Sequence, residues 1–245
     1  MAVPEHVRPL LILAHGTRTT KAQWDGYAER LPEVEVLPID LPGHGEHLGG
    51  VVDQESVLRV FDEAVARRKP GQPVILGGHS LGGYLASMYA GHMAEQHGRH
   101  EIDALLLVGT TGDPRSAIAS LYKGFAKVLP WVGFERMTTV ANWFYKALKL
   151  SDDLPGPEAY SALSDSWSLV FQHCGPQNLE QVECPVVFVN GQLDQMRVHV
   201  KRFAAVANEP QVHLVKGATH VLPMTHPDEL CVIVRELAQR VAADS

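Results

Sequence analysis

Six short apolar runs recur along the chain, at residues 9–14, 34–39, 73–76, 104–108, 186–189 and 212–215. They are continuous rather than alternating, which is the pattern of parallel strands covered on both faces. Between them the apolar spacing turns helical. Asp53 is placed to cap a helix whose apolar face is Val57, Val60, Phe61, Ala64 and Val65. Leu85, Met88 and Tyr89 mark a helix after Ser80, and Pro227 opens a last one carrying Leu230, Val234, Leu237 and Val241. Strands alternating with helices imply βαβ units, so the predicted fold is α/β, a mostly parallel sheet of about six strands flanked by helices.

Residues 113–175 break the alternation. They hold no strand pattern but three helical stripes: Ile118, Leu121, Tyr122, Phe125, Val128 and Leu129; Met137, Val140, Ala141, Phe144 and Leu148; and Tyr160, Leu163, Trp167, Val170 and Phe171. Pro130, Gly133 and the run from Leu154 to Pro157 punctuate them. This predicts a helical cap (113–175) inserted into a core formed by 1–112 and 176–245. No internal repeat is present.

A chain of 245 residues that is 45% hydrophobic can bury one large core. Its net charge of −7 argues against nucleic-acid binding, which needs a concentrated basic surface. The run Arg67-Arg68-Lys69 sits where it complements a helix C-terminus. Cys174, Cys184 and Cys231 cannot all pair and show no metal-ligand spacing, as expected of a reducing compartment. No run reaches the roughly 18–20 apolar residues of a membrane span, and residues 9–14 are too short for a secretory signal. A soluble, cytoplasmic protein is expected.

Chemistry concentrates first in Gly78-His79-Ser80-Leu81-Gly82-Gly83, between the third strand and a helix. A serine hydroxyl is barely ionised at neutral pH and needs activation. A sharp strand-to-helix turn exposes its oxygen and aims the Leu81 amide at a developing oxyanion, while the glycines leave room for the turn. His15-Gly16-Thr17, after the first strand, can supply the second donor from the Thr17 N–H. The base is expected late in the chain: His220 in Gly217-Ala218-Thr219-His220, with His226 as rival. The acid that orients it is expected at Asp194, just past the fifth strand, with Asp113 in Gly112-Asp113-Pro114 as the alternative. Trp24 reads as core. Arg18 reads as an exposed residue starting a helix, with a contact to a substrate carboxylate or phosphate as the alternative.

These pieces resemble the α/β-hydrolase superfamily, in particular its lidded serine esterases, over nearly the whole chain. The segment Asp40-Leu41-Pro42-Gly43-His44-Gly45 looks like the D-x-P-G-H-G loop of such members and is expected to be structural, without a metal despite His44 and His47. Two departures stand out. Only eight residues precede the first strand, so the usual leading antiparallel hairpin is expected to be missing, and Thr17-Arg18 stands where an apolar or small residue is more familiar. Ser80 disfavours the aspartate-nucleophile relatives. The chain also looks somewhat like the menaquinone-pathway lyase of this fold, but Tyr84 follows Gly82-Gly83 where that family carries an arginine.

The resemblance implies hydrolysis of a small to medium apolar carboxylic ester through an acyl-enzyme, with no cofactor. Thioester or C–C bond cleavage with the same residues, and a small-molecule receptor without turnover, are the alternatives. The partner expected is an ester-like small molecule with an apolar acyl or aromatic group, received under a cap rich in Trp131, Phe134, Trp143, Phe144, Tyr145, Trp167 and Phe171. Lys123, Lys127, Lys146 and Lys149 read as its solvated face, and cap helices can also form a homodimer surface.

Overall fold

In the computed structural model the described residues are 7–97, 101–116 and 161–243. They build six strands, β1 (Leu10–Ala14), β2 (Glu35–Ile39), β3 (Val74–His79), β4 (Ala104–Val108), β5 (Val186–Gly191) and β6 (Gln211–Val215). Among the described helices are α1 (Tyr27–Arg30), α2 (Gln54–Val65), α3 (Leu81–His97), α4 (Leu163–His173), α5 (Val200–Ala204), α6 (Leu222–Thr225) and α7 (Pro227–Ala243). The strands form one sheet in the order β2-β1-β3-β4-β5-β6, and every neighbouring pair is parallel. The predicted α/β architecture is therefore observed, with the sheet wholly rather than mostly parallel.

Side-chain alternation divides each central strand between two cores. Leu10, Ile12 and Ala14 of β1 join the faces of α2 and α3, whereas Leu11 and Leu13 join Trp24, Tyr27 and the inner face of α7. The continuous apolar runs are thus a consequence of double coverage, and all residues of β1, β3, β4 and β5 are buried. The edges differ. Strand β6 alternates, with Val212 and Leu214 50% and 52% exposed, because nothing among the described residues covers that face at the end of the sheet. The exposed Val212 and Leu214 reflect strand propensity rather than burial.

Helix α2 begins where its sequence predicts. The Asp53 carboxylate accepts the Ser56 N–H at 2.8 Å, and Ser56 Oγ accepts the Asp53 N–H at 3.0 Å, a reciprocal cap that satisfies two orphan donors. Helix α4, between β4 and β5 in the chain, packs on the core: Leu169 and Val170 are buried with α3 residues, and the Trp167 ring is 6.4 Å from Tyr84. The first two stripes predicted for the cap, with their aromatic residues and lysines, lie outside the described residues. Cys174, Cys184 and Cys231 are free and buried. No helix among the described residues is long and apolar enough to cross a membrane.

The topology sets where chemistry can gather. The chain runs from β1 outward to β2, then returns to β3 on the other side of β1. The chain thus reverses direction across the sheet between β1 and β3, and in open parallel sheets such a switch point is where ligand sites form, at the strands' carboxyl ends. Ala14 is in register with Gly78, so the segments beginning at His15 and His79 emerge side by side.

Candidate active site

Ser80 follows β3 at once and has φ +51°, in the left-handed region that a non-glycine residue seldom enters. Its N–H is held by the Val108 carbonyl at 2.9 Å, and its own carbonyl accepts the Tyr84 N–H at 3.1 Å. The turn is too tight for side chains: a Cβ on Gly78 would lie 2.3 Å from the Gly82 carbonyl carbon, and one on Gly82 would lie 2.5 Å from the Ala14 oxygen. Backbone strain of this kind costs about 1–3 kcal/mol and persists where the surroundings enforce it.

His220 Nε2 lies 2.9 Å from Ser80 Oγ, although 140 residues separate them. Its Nδ1 is 3.1 Å from each carboxylate oxygen of Asp194. Acceptor-only oxygens on that side require Nδ1–H to donate, which leaves Nε2 with the lone pair that accepts the Ser80 hydroxyl. Asp194 is itself fixed, because its Oδ1 accepts the Met196 N–H at 2.7 Å and caps the 3-10 turn Gln195–His199. The acid and base loops are laced together by Leu193 N–H to the Ala218 carbonyl at 2.9 Å. Gly109, at the end of β4 with φ +62°, makes room for the pair, since a Cβ there would lie 3.1 Å from the His220 ring.

The loop after β1 is pinned to this turn by Gly82 N–H donating to the His15 carbonyl at 3.1 Å. The Gly16 N–H is occupied by Gln23 Oε1 at 3.0 Å. By contrast, neither the Thr17 N–H nor the Leu81 N–H makes a hydrogen bond among the described residues. These are the two amides expected to face an oxyanion.

Two buried histidines fix the surroundings. His15 Nδ1–H donates to the Gly16 carbonyl at 2.8 Å, while its Nε2 accepts the Leu41 N–H at 3.1 Å. Burial, with His44 beside it, pushes its pKa down to about 4. The His79 ring lies between two oxygens, with Nε2 2.8 Å from the His220 carbonyl and Nδ1 3.3 Å from Gln23 Oε1, and its centroid is 5.0 Å from that of His220. Burial, with His220 next to it, holds its pKa at about 3. Both rings are neutral in the folded protein at any pH where the unfolded chain, titrating near 6.5, begins to take up protons. Their contribution to stability is fully present above about pH 6.5 and is lost as the pH falls toward 4. The two together should lower the unfolding free energy by about 4 kcal/mol between pH 7 and pH 5. Urea titrations at those two pH values test this, and equal midpoints would contradict it.

The alternatives weighed from sequence lie elsewhere. The Asp113 carboxylate accepts the Arg115 N–H at 2.9 Å and pairs with the Arg202 guanidinium, tying the segment after β4 to α5. His226 Nδ1 contacts Thr225 Oγ1 at 2.8 Å, and its carbonyl accepts the Leu230 N–H at the mouth of α7. Asp40 organises its own loop, accepting from Lys21 N–H at 2.7 Å and Glu46 N–H at 3.1 Å. Trp24 is core, T-shaped against Tyr27 at 5.1 Å. Arg18 does not start a helix: it is partly buried in a turn at φ +64°, and Thr20 caps the 3-10 turn Lys21–Trp24 that follows. Gln23 and the inward ring of His79 escaped sequence reading. His79 stands inside the serine motif, but nothing local shows where its ring points, and Gln23 meets it across 56 residues.

Comparison with known proteins agrees with the fold. The family model described as "Alpha/beta hydrolase family" matches residues 11–232. A 2-succinyl-6-hydroxy-2,4-cyclohexadiene-1-carboxylate synthase of Serratia proteamaculans is 27% identical, over 93% of this chain and 92% of its own length. Among solved structures, a thermophilic esterase from Thermogutta terrifontis superimposes with a TM-score of 0.73 at 22% identity, over 96% of this chain and 90% of its own. A carboxylesterase of the ammonia-oxidizing thaumarchaeon Nitrososphaera gargenis does so at 0.74 and 18% identity, over 98% and 93%. These structural likenesses carry the fold alone.

Proposed function

Since the chain belongs to the alpha/beta hydrolase family, we propose that it is a serine hydrolase acting on a small to medium apolar carboxylic ester through an acyl-enzyme. The observation that carries this reading is the unbroken chain from Asp194 through His220 to Ser80, beside two unengaged amides. Ser80 Oγ attacks the ester carbonyl carbon as His220 Nε2 takes its proton, and Asp194 stabilises the imidazolium. Negative charge gathers on the carbonyl oxygen, which the N–H groups of Thr17 and Leu81 bind. Collapse of the tetrahedral species expels the alcohol, protonated by His220. Water, deprotonated by the same ring, then hydrolyses the acyl-enzyme and regenerates Ser80. No step requires a cofactor. An apolar acyl or aromatic group fits the aromatic composition of residues 113–175.

Intact mass after treatment with a fluorophosphonate tests the nucleophile. One adduct is expected on the wild type, none on Ser80→Ala and slow labelling of His220→Ala. Folded wild type without an adduct would refute the reading and favour a ligand-binding role.

A lyase reading is favoured by one observation, the 27% identity to the Serratia synthase over 93% of this chain. Against it, Tyr84 occupies the position after Gly82-Gly83, and its hydroxyl is committed to the Gly112 carbonyl. Turnover that survives Ser80→Ala would favour the lyase.

A further inference from the structure

We infer that the Thr17 side-chain hydroxyl is a third donor to the oxyanion, beside the N–H groups of Thr17 and Leu81. This rests on the acyl-enzyme reading above and adds a group to its transition-state machinery.

The loop after β1 leaves few polar atoms idle. His15 uses both ring nitrogens, the Gly16 N–H is bound by Gln23, and the Gly16 carbonyl accepts from His15. Thr19 Oγ1 lies 2.8 Å from the Gly16 carbonyl and 3.0 Å from Gln23 Oε1. Gln23 Nε2 is also buried without a partner, but Thr17 is idle in two respects. Its N–H is unengaged, and its Oγ1 is a buried atom with no hydrogen-bond partner. A hydroxyl removed from water and left unpaired is destabilising, by about 1–3 kcal/mol, so its retention calls for a partner that comes and goes.

Placement identifies that partner. Thr17 is three residues beyond Ala14, whose strand is in register with Gly78, and its loop is stapled to the serine turn through the Gly82 N–H. The residue after it, Arg18, is held at φ +64°, so the loop is kept in an uncommon conformation beside the nucleophile, which has the same backbone handedness. What forms between these turns during reaction is an anionic oxygen. A hydroxyl rotor can donate to it, and a charge-assisted O–H···O⁻ bond is roughly twice as strong as a neutral one. An ester carbonyl oxygen is a weaker acceptor, so the hydroxyl acts mainly on the transition state and should appear in kcat rather than KM. The family-like apolar or small residue at this position would supply the amide only.

Thr17→Val and Thr17→Ala retain the backbone N–H and remove the hydroxyl, while Thr17→Ser retains both. Kinetics on a 4-nitrophenyl ester, inhibition by a trifluoromethyl ketone and thermal unfolding should be measured on all four proteins. The valine and alanine variants are expected to lose about 10²-fold in kcat with KM within about threefold. Their affinity for the ketone, whose adduct with Ser80 bears the same oxyanion, should fall in parallel, and the serine variant should stay near the wild type. If valine fails to fold, the alanine and serine pair gives the same comparison. Wild-type kcat in the alanine variant would overturn the inference, as would a serine variant as slow as alanine, or a loss confined to KM and Tm. Each of these is read against a wild type that turns over ester and carries the Ser80 adduct. A wild type that does neither overturns the acyl-enzyme reading itself, and this inference with it.

Discussion

Ser80→Ala should lower kcat for ester hydrolysis by about 10⁵- to 10⁶-fold, and Asp194→Asn by about 10⁴-fold, with both proteins folded. The first change removes the attacking oxygen that lies 2.9 Å from His220 Nε2. Only the residual effect of binding and of the oxyanion donors is left. The second acts through proton placement. Asp194 presents oxygen to His220 Nδ1 on both sides while Oδ1 also holds the Met196 N–H. An asparagine keeps its oxygen for Met196 and turns its NH₂ toward Nδ1. The ring is then driven to the other tautomer, with its proton on Nε2 and no lone pair for the serine. Asp113→Asn is the matched comparison: its carboxylate faces Arg115 and Arg202 and should affect stability rather than kcat. Steady-state rates of the three variants on one ester decide it. Equal losses for Asp113→Asn and Asp194→Asn would refute the assignment of the acid.

Gly82→Ala should both destabilise the protein, by about 3 kcal/mol or more, and abolish fluorophosphonate labelling. A single methyl group is enough because of what it meets. The added Cβ would lie 2.5 Å from the Ala14 oxygen, 2.6 Å from the Ala14 carbonyl carbon and 2.6 Å from the His15 oxygen. None of these atoms can swing aside as a side chain could; relief requires moving the end of β1 away from α3. That movement breaks the bond from Gly82 N–H to His15 and separates the Thr17 amide from Ser80. Gly71→Ala is the control for glycine loss alone. Its φ of +73° makes alanine strained, yet nothing lies within 4 Å of the new Cβ, so the cost should stay near 1–2 kcal/mol. Urea unfolding and labelling rates on both variants test the contrast. A Gly82→Ala protein that labels like the wild type would show that the two loops are less firmly coupled than these distances require.

Much of this was legible in the chain alone, and for local reasons. Inner strands of a parallel sheet are covered on both faces, so β1 and β4 are apolar throughout and β3 and β5 are apolar until their C-terminal ends, and all four announce themselves. Asp53 and Ser56 cap α2 across three residues, and the glycines around Ser80 reflect a turn closed within five. Asp194 and His220 could be proposed because each stands just past a strand, where the sheet's carboxyl edge delivers it.

What remained open depends on groups far apart in sequence. Asp113 and Asp194 occupy similar positions after β4 and β5, and only packing shows that Arg202 claims one while His220 meets the other. The exposed face of β6 follows from its place at the sheet's edge, which its apolar residues do not encode. Arg18 reads as an ordinary helix-starting residue until the backbone is seen to place it at φ +64°. Gln23 finds Gly16 and His79 only after the loops from β1 and β3 have been brought side by side. Residue types and their spacing determined the strands, the serine turn and the candidate acid and base. Strand order, side-chain direction and the competition for each buried hydrogen-bonding group decided which of those candidates meet, because those quantities exist only once distant segments share one packed interior.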